Sequence, residues 1–210
     1  MRDFLYVLIV MGAYFLGSFN LAYWAGKWSK GLDLRQVRSG NLGTVNVYRV
    51  VGKRIGVAVF FADCGKEAAA ILVLRLLGAD LAWQAAAGLS VIIGHNWPIF
   101  LGFQGGRGMS MTLTGTLILL PWEGLVMVGL LTLGGATHHT PEFNLMALFL
   151  TPILAWRLGR PLSLVLFTLG LLLVGVLRRL QGSPGLEGGE EEGDKKPLLW
   201  NRLIYDRESK

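Results

Sequence analysis

Long apolar runs, broken by short polar loops, dominate this sequence and restrict what it can fold into. A helix needs about 20 mostly apolar residues to cross a bilayer, with a range of about 17–25. The candidate spans are Phe4–Lys27, Arg54–Leu77, Asp80–Leu101, Met109–Leu120, Trp122–Ala136, Phe143–Trp156 and Pro161–Leu177. The fourth to sixth are short, and "LLPWEG" between the fourth and fifth reads either as the tight turn of a hairpin or as the kink of one helix, which would lower the count. The expected fold is an all-α integral membrane protein of about seven transmembrane helices. Only 16% of the residues are charged against 52% hydrophobic, whereas a soluble domain carries about 25% charge. The first run has no small-residue cleavage site after it and is read as a retained helix.

Lys and Arg set the orientation. The loop "KWSKGLDLRQVRSGNLGTVNVYRVVGKR" holds Lys27, Lys30, Arg35, Arg38, Arg49, Lys53 and Arg54. The positive-inside rule puts it in the cytoplasm, with the N-terminus outside and the C-terminus cytoplasmic. Residues 102–108, 137–142 and the tail from Arg178 then fall on the same inner face. Arg157 and Arg160 oppose this pattern, since they come out on the other side. The net charge of +6 suits anionic lipid head groups, and with no soluble basic domain no nucleic-acid partner is expected. One cysteine, Cys64, excludes an internal disulfide. The chain divides into a polytopic membrane domain, 1–180, and a flexible tail, 181–210. That tail begins "QGSPGLEGGEEEGDKK" and ends in a stretch able to form an interfacial helix through Leu198, Leu199, Trp200, Leu203, Ile204 and Tyr205.

Two loops on the inner face carry the chemistry. In "SGNLGTVNVYR", Ser39 and Thr44 bring hydroxyls, Asn41 and Asn46 amides, and Gly40 and Gly43 freedom for backbone N–H groups to approach an anion. Arg49 offers a bidentate phosphate contact. In "GHNWPIFLGFQGGRGMSM", Gly105, Gly106 and Gly108 surround Arg107 and lead into an apolar helix, whose N-terminus favours negative charge. His95 and Asn96 open that stretch at a helix end, where His95 suits a structural hydrogen bond or proton transfer. A third feature, "ADCGKE", sets Asp63 and Lys66 three residues apart inside the second run, on one helix face. They form either a packing pair or a pair whose Lys66 adds positive charge to a phosphate cavity. No metal cluster, "GxSxG" or "HxxxxD" pattern is present. Residues alone support an anion site at the inner leaflet.

The three motifs, in this order, resemble the PlsY-type glycerol-3-phosphate acyltransferases of bacteria. The match is close from Gly17–Ser18 to about Gly115. The family's first motif, roughly SGNxGATNxxR, reads "SGNLGTVNVYR" here; its intramembrane DxxKG reads "DCGKE"; its second motif, GHxxPxFxxFKGGKG, reads "GHNWPIFLGFQGGRG". The resemblance implies transfer of an acyl chain from acyl phosphate to the 1-hydroxyl of glycerol 3-phosphate, giving lysophosphatidic acid for phospholipid synthesis. It implies the bacterial inner membrane, a cytoplasm-facing site and no cofactor or metal. Candidate catalytic residues are then Ser39, Arg49, Lys66 and His95; candidate substrate-binding residues are Gly40, Asn41, Asn46, Asn96, Gly105, Gly106, Arg107 and Gly108. The chain departs from the pattern in places. Thr44–Val45 stands for Ala-Thr, Glu67 for a Gly, Gln104 for a basic residue, and "ATHHTPEFN" for a TRYVS-like loop. The family's closing HRENIKRL has functional His and Asn; here Leu173–Val176 supply neither, and only Arg178, Arg179 and Leu180 fit its basic end. His138, His139 and Asn201 are the substitutes to look for. Two rivals follow: a catalytically altered paralogue that keeps the phosphate cradle, and a small anion transporter, against which the absence of an internal repeat counts.

Overall fold

The computed structural model describes residues 1–181 and 202–204. Between residues 2 and 180 lie nine α-helices: α1 (Arg2–Ser18), α2 (Leu21–Lys30), α3 (Thr44–Val50), α4 (Lys53–Leu76), α5 (Leu81–Asn96), α6 (Met109–Leu119), α7 (Pro121–Ala136), α8 (Thr140–Arg157) and α9 (Leu162–Leu180). Single 3₁₀ turns stand at Leu34–Gln36 and Ile99–Leu101. No strand occurs among the described residues.

The first expected span is two helices. Asn20 caps α2 by accepting from the Tyr23 N–H at 3.1 Å, and Phe19 ends α1. Asn is a strong N-cap residue, so the break is written into an otherwise apolar run. The third span likewise ends early, at Asn96, where Pro98 forbids helical continuation. Among the described residues, Arg2–Lys30, taken across the break at Phe19–Asn20, and Leu162–Leu180 are the two helical stretches long and apolar enough to cross a bilayer. α6, with 11 residues, reaches only about 16 Å. It pairs with α7 through the Leu120–Pro121 turn, where Gly124 comes up against the Leu117 backbone.

At Gly17 and Gly94 the backbones of α1 and α5 come into direct contact. A Cβ on Gly17 would collide with the Val91 carbonyl, and one on Gly94 with the Tyr14 carbonyl. Small residues that let backbones touch are the usual means of helix association where lipid replaces water. The Ser90 hydroxyl donates to the Val10 carbonyl (2.8 Å) and Tyr14 to the Trp97 carbonyl (2.9 Å). The core runs through Ile71, Leu74, Val91, Ile92, Met111, Leu148, Phe167 and Leu171. The outside is also apolar: Phe4, Met11, Phe61, Leu133, Ile153, Leu166 and Leu173 are exposed. A mantle of that extent suits lipid rather than water.

Contacts sort the loops into two ends. At one end Arg35 reaches the Leu101 carbonyl, Arg178 the Gly105 and Gly106 carbonyls, and Arg179 the Pro141 carbonyl. The first loop, the glycine loop, the α7–α8 turn and the end of α9 therefore meet. At the other end Tyr6 donates to the Leu77 carbonyl and Arg75 to the Ile118 carbonyl. Here the two arginines that opposed the charge pattern find their use. Arg160 grips the buried Glu123 carboxylate with two hydrogen bonds of 2.7 and 3.1 Å, which raise its guanidinium pKa further. Arg157 lies over the Trp156 ring.

Candidate functional site

The first loop is folded by its own polar side chains. Asp33 caps the 3₁₀ turn at Leu34–Gln36 and holds Arg35 in a 2.7 Å ion pair. The Arg35 hydrogen bonds keep the Asp33 carboxyl below its usual range. Asn46, buried in α3, donates to the Leu34 and Val37 carbonyls at 3.3 and 3.2 Å. It therefore shapes the loop. Gly40 takes φ +62, a backbone that favours glycine, and Leu42 and Val47 anchor the loop in an apolar cluster. Ser39, Arg38 and Arg49 are left at the surface of this scaffold. Neither Arg38 nor Arg49 makes a hydrogen bond or ion pair among the described residues, although both are strong phosphate donors.

The glycine loop folds back on the end of α5. The Gly105 N–H donates to the Asn96 carbonyl at 3.2 Å and the Gly106 N–H to the His95 carbonyl at 3.1 Å. Their carbonyls accept from Arg178 of α9 at 2.8 and 3.0 Å. A Cβ on Gly106 would strike the His95 ring and the Leu42 carbonyl. Two of the glycines expected to cradle an anion, Gly105 and Gly106, thus use their N–H groups internally. The N–H groups without helical partners lie one step on, at the start of α6, which opens after Gly108 in the left-handed region.

These pieces enclose a cavity of about 1150 Å³. From the first loop and α3 it takes Arg38, Ser39, Asn41, Thr44, Asn46 and Arg49; from α4 and α5, Phe60, Asp63 and His95. Arg107, Gly108, Met109 and Ser110 line the α6 side, and His138, Thr140 and Asn144 the α8 side. His95 is buried with Nδ1 unpartnered, and the Thr44 hydroxyl and Asn41 Oδ1 also lack partners. Three guanidinium groups, a helix start and several neutral donors around one space make an anion receptor.

Of the sequence candidates, Ser39, Asn41, Asn46, Arg49, His95, Arg107 and Gly108 share this cavity. Gly40, Lys66, Asn96, Gly105 and Gly106 are not on its wall. By sequence, Lys66 is either half of a packing pair or a cation facing a phosphate. Its ammonium donates to the Phe19 carbonyl, freed by the break between α1 and α2, and sits 3.6 Å from Asp63. Asn96 is buried behind Gly108. Of the substitutes for the absent His and Asn, His138 lines the cavity, whereas His139 pairs with Glu142 at 3.5 Å; Asn201 lies outside the described residues. Arg38, Ser110, Thr140, Asn144 and Asp63 also line the wall, and Arg178 holds the glycine loop, although the motifs gave none of them a site role. Arg178 was legible as a basic helix end, but its grip on the glycine loop was not.

Comparison with known proteins places these features among relatives. A family model described as glycerol-3-phosphate acyltransferase matches residues 7–181. Glycerol-3-phosphate acyltransferase 5 of Dehalococcoides mccartyi is 32% identical over 209 residues, 97% of this chain and 89% of the relative. A glycerol-3-phosphate acyltransferase of Synechococcus sp. is 38% identical over 177 residues, 82% of this chain and 86% of the relative. The crystal structure of PlsY, an integral membrane glycerol 3-phosphate acyltransferase, in its glycerol 3-phosphate form superposes with a TM-score of 0.76 at 28% identity, over 93% of this chain and 98% of that one. Its lysophosphatidic acid form gives 0.73 at 27% identity, over 84% and 88%.

Proposed function

The chain belongs to the PlsY family of glycerol-3-phosphate acyltransferases, which are integral membrane proteins, and on that premise we propose that it acylates the 1-hydroxyl of glycerol 3-phosphate from acyl phosphate. The product is lysophosphatidic acid. The observation that carries this reading is the cavity in which Arg38, Arg49 and Ser39 face Arg107 and the start of α6. The reaction brings two phosphate-bearing molecules together, and such a wall offsets their negative charge. Glycerol oxygen attacks the acyl carbon, the bond from that carbon to the phosphate oxygen breaks, phosphate leaves, and the hydroxyl proton is released. The leaving group is already activated, so positioning and charge stabilisation supply the catalysis without a cofactor.

In this reading Arg49, Arg107, Ser39 and the α6 N-terminus hold phosphate oxygens. Asn41 and Gly108 complete that wall, while Gly40, Asn46, Asn96, Gly105 and Gly106 set its shape. His95 stands against the reacting groups, and Lys66 acts at one remove, through Asp63. Residues 1–180 are the enzyme domain and 181–210 a cytoplasmic tail. The helices cross the bacterial inner membrane about seven times, with the N-terminus outside and the cavity open to the cytoplasm, as the gathering of Lys and Arg at that end supports.

One departure favours a second reading: α9 carries no His or Asn at Leu173–Val176, which fits a paralogue that binds phosphate without catalysis. The deciding experiment offers the purified protein, in lipid, labelled glycerol 3-phosphate with palmitoyl phosphate and palmitoyl-CoA in parallel. Product from the acyl phosphate alone is expected. Product from palmitoyl-CoA alone overturns the donor assignment. Binding of glycerol 3-phosphate with no product from either donor favours the paralogue.

A further inference from the structure

Asp63 is the one carboxylate among the described residues on the cavity wall. It is 1% exposed, and its Oδ1 accepts no hydrogen bond. Its neighbour Lys66 stands 3.6 Å away and gives its hydrogen bond to the Phe19 carbonyl instead, a separation longer than a formed N–H···O bond. The rest of the wall is rich in donors: Arg38, Arg49 and Arg107, with the hydroxyls and amides of Ser39, Thr44, Asn41 and Asn144. Phosphate oxygens are acceptors and are satisfied by such groups. The hydroxyls of a glycerol moiety are donors as well and need an acceptor. A buried carboxylate whose Oδ1 stands in an ion pair with Lys66 but accepts no hydrogen bond is the strongest acceptor this wall contains.

We infer that Asp63 accepts the hydrogen bond of a glycerol hydroxyl, and that through it the cavity distinguishes glycerol 3-phosphate from bare phosphate. This deepens the proposed function and rests on it. Asp63 lies in mid-α4, whereas Arg38 and Arg49 lie in the loop and short helix before it. A ligand that places its phosphate among the arginines and its hydroxyl end on Asp63 spans the cavity wall from surface to interior. The competing role is an ion pair with Lys66 that serves packing alone. Loss of such a pair disturbs phosphate and glycerol 3-phosphate equally.

The test measures two constants for wild type, Asp63→Ala and Asp63→Asn in lipid: KM for glycerol 3-phosphate, and the inhibition constant of inorganic phosphate competing with it. In Asp63→Ala, KM rises about tenfold or more, as for one lost charge-assisted hydrogen bond, while the phosphate constant stays within about twofold. Asp63→Asn keeps the volume without the charge and shows a smaller rise in the same direction. Should Asp63→Ala fail to fold, Asp63→Asn decides. An unchanged KM in folded Asp63→Asn overturns the inference, as does a parallel rise of both constants. A wild-type protein that transfers no acyl chain removes the proposed function and this inference with it; an active wild type with indifferent variants removes the inference alone.

Discussion

Two residues in one turn of α4 show how differently buried charge is handled. Lys66 has partners on both sides, the Phe19 carbonyl and Asp63. Glu67 has none. It is fully buried, its two carboxyl oxygens make no hydrogen bond, and it fits only because Gly88 and Gly115 present no side chains against it. An apolar helical core gains nothing from a carboxyl without partners, and replacing such a group with an apolar one of similar volume is often neutral or stabilising. Glu67→Met is therefore expected to raise the thermal midpoint of the protein in detergent by a few degrees for each ~1 kcal/mol gained. A clear fall would mean that the carboxyl is satisfied in the membrane. The sequence made Glu67 visible as a substitution for glycine in a family motif. It did not show which helices supply the compensating glycines, because that depends on the mutual rotation of α4, α5 and α6.

At the scale of elements, the glycine loop and the end of α5 act as one unit. Two backbone hydrogen bonds join them, and Arg178 clamps the loop from α9. Gly106→Leu places a side chain where the His95 ring and the Leu42 carbonyl already stand. The first loop and the glycine loop must then separate. Acyl transfer should fall below detection while membrane insertion persists, since the apolar faces of the helices are untouched. Normal rates from a correctly inserted Gly106→Leu protein would show that the two loops need not meet. The loops were legible as a pair from composition and from their shared face. The role of the glycine N–H groups was not, because their partners on His95 and Asn96 form only when the chain reverses at Pro98. The break at Phe19–Asn20 had a local signal, an Asn cap inside an apolar run, which the length criterion for a span overrode.

For the whole molecule, the observation with the widest consequence is that the polar segments gather at one end. Arginines tie them together there: Arg35 to Leu101, Arg178 to Gly105 and Gly106, Arg179 to Pro141. Arg157 and Arg160, which counted against the charge pattern, are occupied at the far end by Trp156 and Glu123. The topology this supports is testable with single cysteines in a Cys64→Ser background. A cysteine at Gln104 should react with an impermeant thiol reagent only from the cytoplasmic side, and one at Leu158 only from outside; the reverse pattern would invert the proposed orientation. Fold class and the order of motifs were readable from one sequence, because both rest on local runs of residues. The cavity was not, because its walls come from six helices and three of the segments between them.

In the proposed function the cavity between the two loops holds the phosphate of the substrate during acyl transfer. The variant that probes this is Arg49→Ala. This guanidinium makes no hydrogen bond or ion pair among the described residues and lies on the surface of α3, so its loss leaves folding alone. The transfer rate should fall by about 10²-fold or more, the usual cost of removing one preorganised donor to a reacting anion, with insertion and thermal midpoint unchanged. A folded Arg49→Ala protein that acylates glycerol 3-phosphate at the wild-type rate would mean that the substrate phosphate is held elsewhere.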